Sequence, residues 1–250
     1  VIVILDDDMR VGPEFLAAHL AEHERGATLV LGNIAFDAPR DEGARHVLDK
    51  FQAKQHRSLL EGYRSGARVP RGADVCTGNV SFRREDYLAI GGFDRALPRC
   101  EDRDLGVRLE RAGAKIVFAD AAHSTHVSDV GGELWLHRAF LYGVYDPKIA
   151  EKHPSVEYVD PWAFVFRVNA ITRPFVALTV LEPALGTRLG KLAYRAAEAL
   201  DHVGAERAAI AGVTFAYGLH YFAGVRTDAG TLRTSLRRFR RYLGKRRAAR

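Results

Sequence analysis

Cysteine is scarce: the 250 residues hold two, Cys76 and Cys100, far apart and in no metal-type pairing. That excludes a disulfide framework and fits a reducing compartment, with both thiols read as ordinary, half-buried side chains. No Met opens the chain. It starts on Val1-Ile2-Val3-Ile4-Leu5, which reads as a strand already in progress. We therefore expect the natural N-terminus to lie upstream, and the absence of a signal peptide says nothing. Internal repeats and low-complexity stretches are lacking, apart from a basic tail. Acid is absent from residues 233–250, which hold nine Lys/Arg; without them the net charge of +6 becomes −3. Basicity thus belongs to the tail and not to the rest.

Hydrophobic residues make up 47% of the chain, enough for a sizeable core and too many for a disordered one. The first part alternates strand-like and helix-like segments. Strands are expected over residues 1–5, 28–34, 75–82 and 115–118, the first covered on both faces. Helices are expected over residues 14–24, 41–63, 84–90 and 101–112, with Gly26, Gly91-Gly92 and Gly113 as stops. Alternation of this kind predicts an α/β domain. Beyond Val130 long helical stretches take over, over residues 132–145, 162–181, 188–202, 206–225 and 232–243. His153-Pro154 and Asp160-Pro161 punctuate the chain, so the expected division is a core of 1–150 and a helical region of 151–250.

Asp6-Asp7-Asp8 after a fully apolar strand is the first chemical signal. Ligands of α/β sheets sit at the carboxyl ends of strands. Three adjacent carboxylates repel one another unless a cation is shared. Hard ions such as Mg2+ and Mn2+ take such oxygens, usually one or two carboxylates plus substrate phosphates. A helix N-cap explains Asp8 alone. Gly91-Gly92-Phe93-Asp94 followed by Glu101-Asp102, with Leu105 and Arg108, is the second. Two glycines permit a sharp turn, and carboxylates favour the positive end of a helix. The plainer alternative is that these acids satisfy the helix start and pair with Arg108.

Leu5-Asp6-Asp7-Asp8, Thr77-Gly78-Asn79, Gly91-Gly92-Phe93-Asp94 and Glu101-Asp102 with Leu105 and Arg108 stand in the order found in family-two, inverting glycosyltransferases of the GT-A fold. The resemblance covers residues 1–145 and is carried by the ordered set, each piece alone being weak. It implies a Rossmann-like GT-A core, here lacking its N-terminal nucleotide-binding strands, then a mostly helical region. It implies transfer of a sugar from a nucleoside diphosphate, a UDP-sugar first, to an acceptor hydroxyl, as in the making of cell-envelope polysaccharide. Asp6 and Asp8 match the family's Asp-x-Asp, touching the donor ribose and the metal, Mn2+ or Mg2+. Asp8 is the first choice for the metal, and Asp7 an alternative for the ribose. Asp102 matches the general base, which Glu101 would assist. Asn79 would lie near the donor sugar. The acceptor would be a glycan, a lipid-linked sugar or a small molecule.

His123-Ser124-Thr125-His126 follows the expected strand at 115–118. Family members place a metal-completing His a few residues past this strand, and His126 best matches; a solvated loop His is the alternative. A zinc site of His123, His126 and His137 lacks a spaced acid or Cys.

Residues 208–225 carry no Lys, Arg, Asp or Glu and just reach the lower limit for spanning a bilayer, about 17 residues. His220, two Tyr and three Gly favour a buried or interfacial helix. Leu232, Leu236, Phe239 and Leu243 share one helical face, ringed by Arg233, Arg237, Arg238, Arg240 and Arg241. Such a basic amphipathic helix suits an anionic membrane surface, or docks on its own protein. We expect a cytoplasmic protein, peripheral at the inner face of the plasma membrane. Nucleic acid is not expected, since Phe239 and Tyr242 form a seam rather than a stacking platform. Two rivals stand beside this reading. One is a haloacid-dehalogenase-type phosphatase with Asp6 as nucleophile, which lacks a well-placed Lys. The other is a non-enzymatic membrane or nucleic-acid binding module.

Overall fold

A computed structural model describes residues 1–36, 46–127 and 130–248. The chain divides into two compact units. One comprises residues 1–45 and 49–129, the other residues 46–48 and 130–250. The division expected at 150 falls instead inside a helix.

The first unit holds a five-stranded sheet. In chain order its elements are β1 (Ile2–Ile4), β2 (Met9–Val11), α1 (Phe15–Glu24), β3 (Leu29–Ala35), α2 (Val47–Arg64), β4 (Val80–Phe82), α3 (Arg84–Ala89), α4 (Glu101–Arg111) and β5 (Ile116–His126). The strands lie in the order β1-β4-β3-β5-β2, with β3 and β5 parallel and every other neighbour antiparallel. Alternate residues of β3 point to opposite faces. Leu29 and Leu31 pack with Val80, Phe82, Leu105 and Leu109, so α4 covers that face. Val30 packs with Ala27, Ala119, Ala122 and Ala18, so α1 covers the other. Apolar runs without alternation are what a doubly covered sheet requires.

Four expectations are corrected here. β1 lies at the edge of the sheet and is half-buried, not covered on both faces. β2 was not foreseen, being three residues with a charge in the middle. The strand expected at 75–82 shrinks to Val80–Phe82, because residues 72–79 form tight turns. β5 runs on to His126, so His123 and His126 belong to a strand, not a loop. The helix expected from 41 begins in the described residues at Val47; residues 41–45 lie outside them.

The second unit is helical: α5 (Gly132–Lys152), α6 (Phe164–Arg167), α7 (Arg173–Leu181), α8 (Pro183–His202), α9 (Glu206–Asp228) and α10 (Leu232–Ala248). Pro147 lies within α5 without ending it. The stretch expected as one helix over 162–181 is broken by 3-10 turns at Pro161–Ala163 and Ala170–Thr172, each entered through an Asp or Asn whose side chain accepts a backbone N–H. Helices meet through glycine. A Cβ on Gly143 of α5 would strike the Tyr221 carbonyl of α9, and one on Gly224 would strike the Phe140 carbonyl. Two-thirds of the apolar window of α9 is buried inside the protein, as suits a core helix.

Candidate active site

The acid turn follows β1. Its backbone closes through Met9 N–H donating to Asp6 O at 3.3 Å. β2 then pairs with β5, Met9 opposite His126, and Val127 N–H donates to Asp8 O at 2.9 Å. This pairing sets Asp8 beside His126: Asp8 Oδ2 is 3.3 Å from His126 Nε2. The other oxygen, Asp8 Oδ1, is buried and has no hydrogen-bond partner. Asp8 caps no helix; α1 starts at Phe15 with Glu14 as its cap residue. The His126 ring stacks on Phe36 at 5.0 Å, and Phe36 leans on His56 at 4.2 Å. Burial, then His126, pushes the His56 pKa down to about 4. His56 is therefore neutral at pH 7 and adds no positive charge behind His126.

Asp6 faces a different partner. A Cβ on Gly78 would lie 3.4 Å from Asp6 Oδ2 and 2.8 Å from Met9 Cε, so the acid turn passes close to this glycine. Asp7 is exposed.

Asp102 stands in the first turn of α4. Its carboxylate accepts Arg103 N–H at 2.7 Å and the Thr77 N–H of the same glycine turn. Burial raises its pKa, and Glu101 adds to the rise against the backbone N–H groups. Asp104, not Asp102, is the acid that pairs with Arg108, at 2.7 Å and fully buried. Asp102 thus stays available for chemistry. Cys76 is exposed as a residue, yet its thiol is shielded; desolvation, then Asp102, Asp6 and Glu101, pushes its pKa up to about 12. One thiol feeling all three carboxylates shows that the acid turn and the start of α4 share a neighbourhood.

Local backbone explains how α4 reaches this place. Gly91 and Gly92 both take positive φ, which lets the chain double back after α3. Cys100 is the single described non-glycine residue with positive φ, at 61°, and launches α4. Gly106 in α4 touches the Gly72 carbonyl, and Gly72 N–H donates to Glu110 Oε2 at 2.9 Å. The helix carrying Asp102 is thereby pinned to the loop that leads into Thr77-Gly78.

Asn79 is buried and hydrogen-bonded within the protein. Its Nδ2 lies 3.2, 2.8 and 2.9 Å from Asn33 O, Ala122 O and Ser124 Oγ, which share its two hydrogens, while Oδ1 accepts from His19 Nε2 at 2.8 Å. Ser81 Oγ then sits 2.8 Å from both His19 Nδ1 and His23 Nε2, and His23 Nδ1 donates to Ala27 O at 3.0 Å. Both ends of this chain are acceptors. Two neutral imidazoles and one hydroxyl supply three hydrogens for four contacts, so a fourth hydrogen requires one imidazolium. Burial is the largest influence on both rings and lowers both pKa values, which opposes that proton. Asn79 thereby anchors the turn that holds Thr77. His19 and His23 escaped the sequence reading. Their signal was a spacing of four on the face of α1 that also buries Phe15.

A divalent cation fits part of this site. A buried, unpartnered carboxylate oxygen beside an imidazole nitrogen suits Mn2+ or Mg2+. Among the described residues no group of three or more His, Cys, Asp or Glu is arranged to hold a metal. Asp8 and His126 come together; Asp6 lies instead at Gly78. The remaining ligands of such an ion would be phosphate and water.

No curated protein matches the chain. A family model does, over residues 1–245, and its description is glycosyl transferase family group 2. The sheet unit and the helices after it are the α/β core of GT-A type and the helical C-terminal region that such a chain has. A phosphatase and a non-enzymatic module both give way to this finding. The chain belongs to glycosyl transferase family group 2 and is a glycosyltransferase.

Proposed function

We propose that the protein transfers a sugar with inversion from a nucleoside diphosphate sugar, a UDP-sugar first, to an acceptor hydroxyl, with Asp102 as general base. The observation that carries this reading is the glycine turn at Thr77-Gly78, which meets Asp102 on one side and Asp6 on the other. Asp102 takes the proton of the acceptor hydroxyl as that oxygen attacks the anomeric carbon. The bond to the diphosphate breaks on the opposite side and the nucleoside diphosphate leaves. Burial raises the Asp102 pKa, which makes it a stronger base than an ordinary aspartate. Glu101 assists Asp102. Asp6 and Asp8 are the Asp-x-Asp pair at the donor ribose and the metal, with Asp7 an alternative for the ribose. Asp8, Asp6 and His126 would hold the Mn2+ or Mg2+, which would neutralise the charge that grows on the leaving diphosphate.

The acceptor is a glycan, a lipid-linked sugar or a small molecule, and the protein works in the cytoplasm at the inner face of the plasma membrane, on cell-envelope polysaccharide. A screen of nucleotide sugars with and without Mn2+, using the full chain, names the donor. With that donor, Asp102→Asn is expected to lower kcat by about 10²–10⁴ while donor binding stays as in the wild type. Wild-type turnover by Asp102→Asn would sink the assignment of the base.

A further inference from the structure

The apolar seam of the basic tail is docked on the protein at Leu232 and Phe239, while Leu236 is exposed. Leu232 and Phe239 pack with Trp162, Val225 and Tyr242, and Phe239 meets the Trp162 ring at 5.1 Å. What α10 otherwise leaves outward is charge: Arg233, Arg237, Arg240, Arg241 and Arg247 are exposed. Eight Lys/Arg and no acid lie between Leu232 and Ala248.

The exposed apolar face belongs to α7. The segment Ala170–Leu181 is apolar but short, too short to cross a bilayer. Its inner side buries Val176, Thr179 and Val180. The outer side of this segment shows Ile171, in the 3-10 turn that leads into α7, at 77% exposure, and Phe175 at 39% and Leu181 at 53% on α7 itself. Residues 164–181 contain no Asp or Glu. Phe166, just ahead of α7, lies between two cations: the Arg246 guanidinium 3.9 Å from its ring centroid and that of Arg173 at 5.9 Å. Phe166 of α6 thus ties the end of α10 to Arg173, the first residue of α7.

We propose that α7 is an interfacial helix. It lies in the plane of an anionic lipid surface with Ile171, Phe175 and Leu181 in the acyl boundary, and the exposed arginines of α10 contact the lipid phosphates. The inference rests on the peripheral-membrane part of the reading above, and not on the sugar chemistry. Lipid is the occupant because the charge is of one sign on both elements. Exposed apolar side chains with cations beside them are what such a surface complements, and one lipid chain contact per inserted side chain adds to the electrostatic attraction.

The test is flotation with phosphatidylglycerol-containing and with pure phosphatidylcholine vesicles. The wild type is expected to float with the anionic vesicles only. Ile171→Asp with Leu181→Asp is expected to lower that binding roughly tenfold or more. Val203→Asp changes an apolar residue equally exposed, at 77%, beyond the end of α8, and is expected to bind as the wild type does. A second variant adds no charge: Ile171→Trp should be quenched by brominated lipid, whereas the native Trp135 and Trp162 are buried and should not. If the wild type binds and the double variant binds equally, or Ile171→Trp is not quenched, α7 is not the inserting element and the membrane reading stands without it. If the wild type ignores anionic vesicles, both fail. A dimer in solution that Ile171→Asp dissociates, with no vesicle binding, makes a second copy the occupant and overturns the proposal. Transfer to a soluble acceptor should be unchanged in every variant.

Discussion

The two units bury polar groups in opposite ways. In the sheet unit, Asn79, Ser81, Ser124, His19 and His23 are buried together and bonded to one another. In the helical unit, the buried contacts are mostly aromatic rings and glycine against backbone. There Tyr221 Oη donates to Asp146 Oδ2 at 2.7 Å. A directional network fixes positions, because each hydrogen bond has one geometry. Ring and glycine packing fixes only distance between helices. The unit that must hold Asp102 within reach of a proton is the one built on directional bonds.

The sharpest way to break this comparison is to overpack each unit at a glycine. Gly143→Val puts side-chain atoms where the Tyr221 backbone lies. The obstacle is backbone and cannot rotate away, so the expected cost is about 3 kcal/mol. Chemical denaturation reads it as a lower midpoint. The folded fraction should keep its kcat. Gly106→Ala in the sheet unit meets the Gly72 carbonyl and the Val75 side chain. Ala favours a helix over Gly by about 1 kcal/mol, which offsets part of the strain. A net loss of about 1–2 kcal/mol follows. Here kcat should fall too, because α4 carries Asp102. An unchanged kcat in Gly106→Ala, or a lowered one in folded Gly143→Val, would contradict the division of labour.

A smaller effect is expected at the acid turn. Asp8→Ala removes the buried oxygen and the partner of His126. Donor affinity in Mn2+ should weaken by about tenfold to a hundredfold, the range seen when a metal's supporting groups are lost. Affinity measured in EDTA should not change. His126→Asn should do the same, more weakly. Equal weakening with and without the metal would remove Asp8 from the metal and return it to the ribose.

How much of this was legible depended on the range of the interaction. Asp6-Asp7-Asp8 and Glu101-Asp102 are local: an acid after an apolar strand, and acids at a helix start after Gly91-Gly92. Their order along the chain led to the family. The residue type of Asn79 suits a sugar as well as it suits a backbone carbonyl. Only the fold shows that Asn33, Ala122 and His19 bond its side chain. β2 and the extension of β5 were hidden for a related reason. Met9–Val11 gains strand structure by pairing with residues 124–126, more than a hundred positions away, and three residues carry no periodicity. The basic tail was read correctly as an amphipathic helix. Which of its faces was free depended on Trp162 and Tyr242. The second apolar helix, α7, was merged with α6 because Asn169 and Thr172 do not break a hydrophobic run as Gly or Pro would.

The last comparison concerns pH, and it is a matter of direction. His19, His23 and His56 in the sheet unit all have lowered pKa values, with burial the first cause in each. In the helical unit His220 is lowered in the same way. A group whose folded pKa is lowered takes its proton more readily when unfolded. Between pH 6.5 and the lower folded value the unfolded chain therefore binds more protons, and stability falls as pH falls. For His56 that window runs from 6.5 down to about 4. Denaturation midpoints should thus drop steadily through it, and His56→Gln, which cannot take the proton, should flatten part of the drop. The Asn79 chain pulls the other way, since one proton would complete its four contacts. If that gain outweighed desolvation, His19→Asn would steepen the acid loss rather than flatten it. Nitrogen-15 chemical shifts of the two rings at pH 7 decide the matter. Neutral rings, with Nε2 of His19 and Nδ1 of His23 protonated, mean that one contact to Ser81 has no hydrogen and desolvation wins; one imidazolium means that the buried network holds its proton against burial.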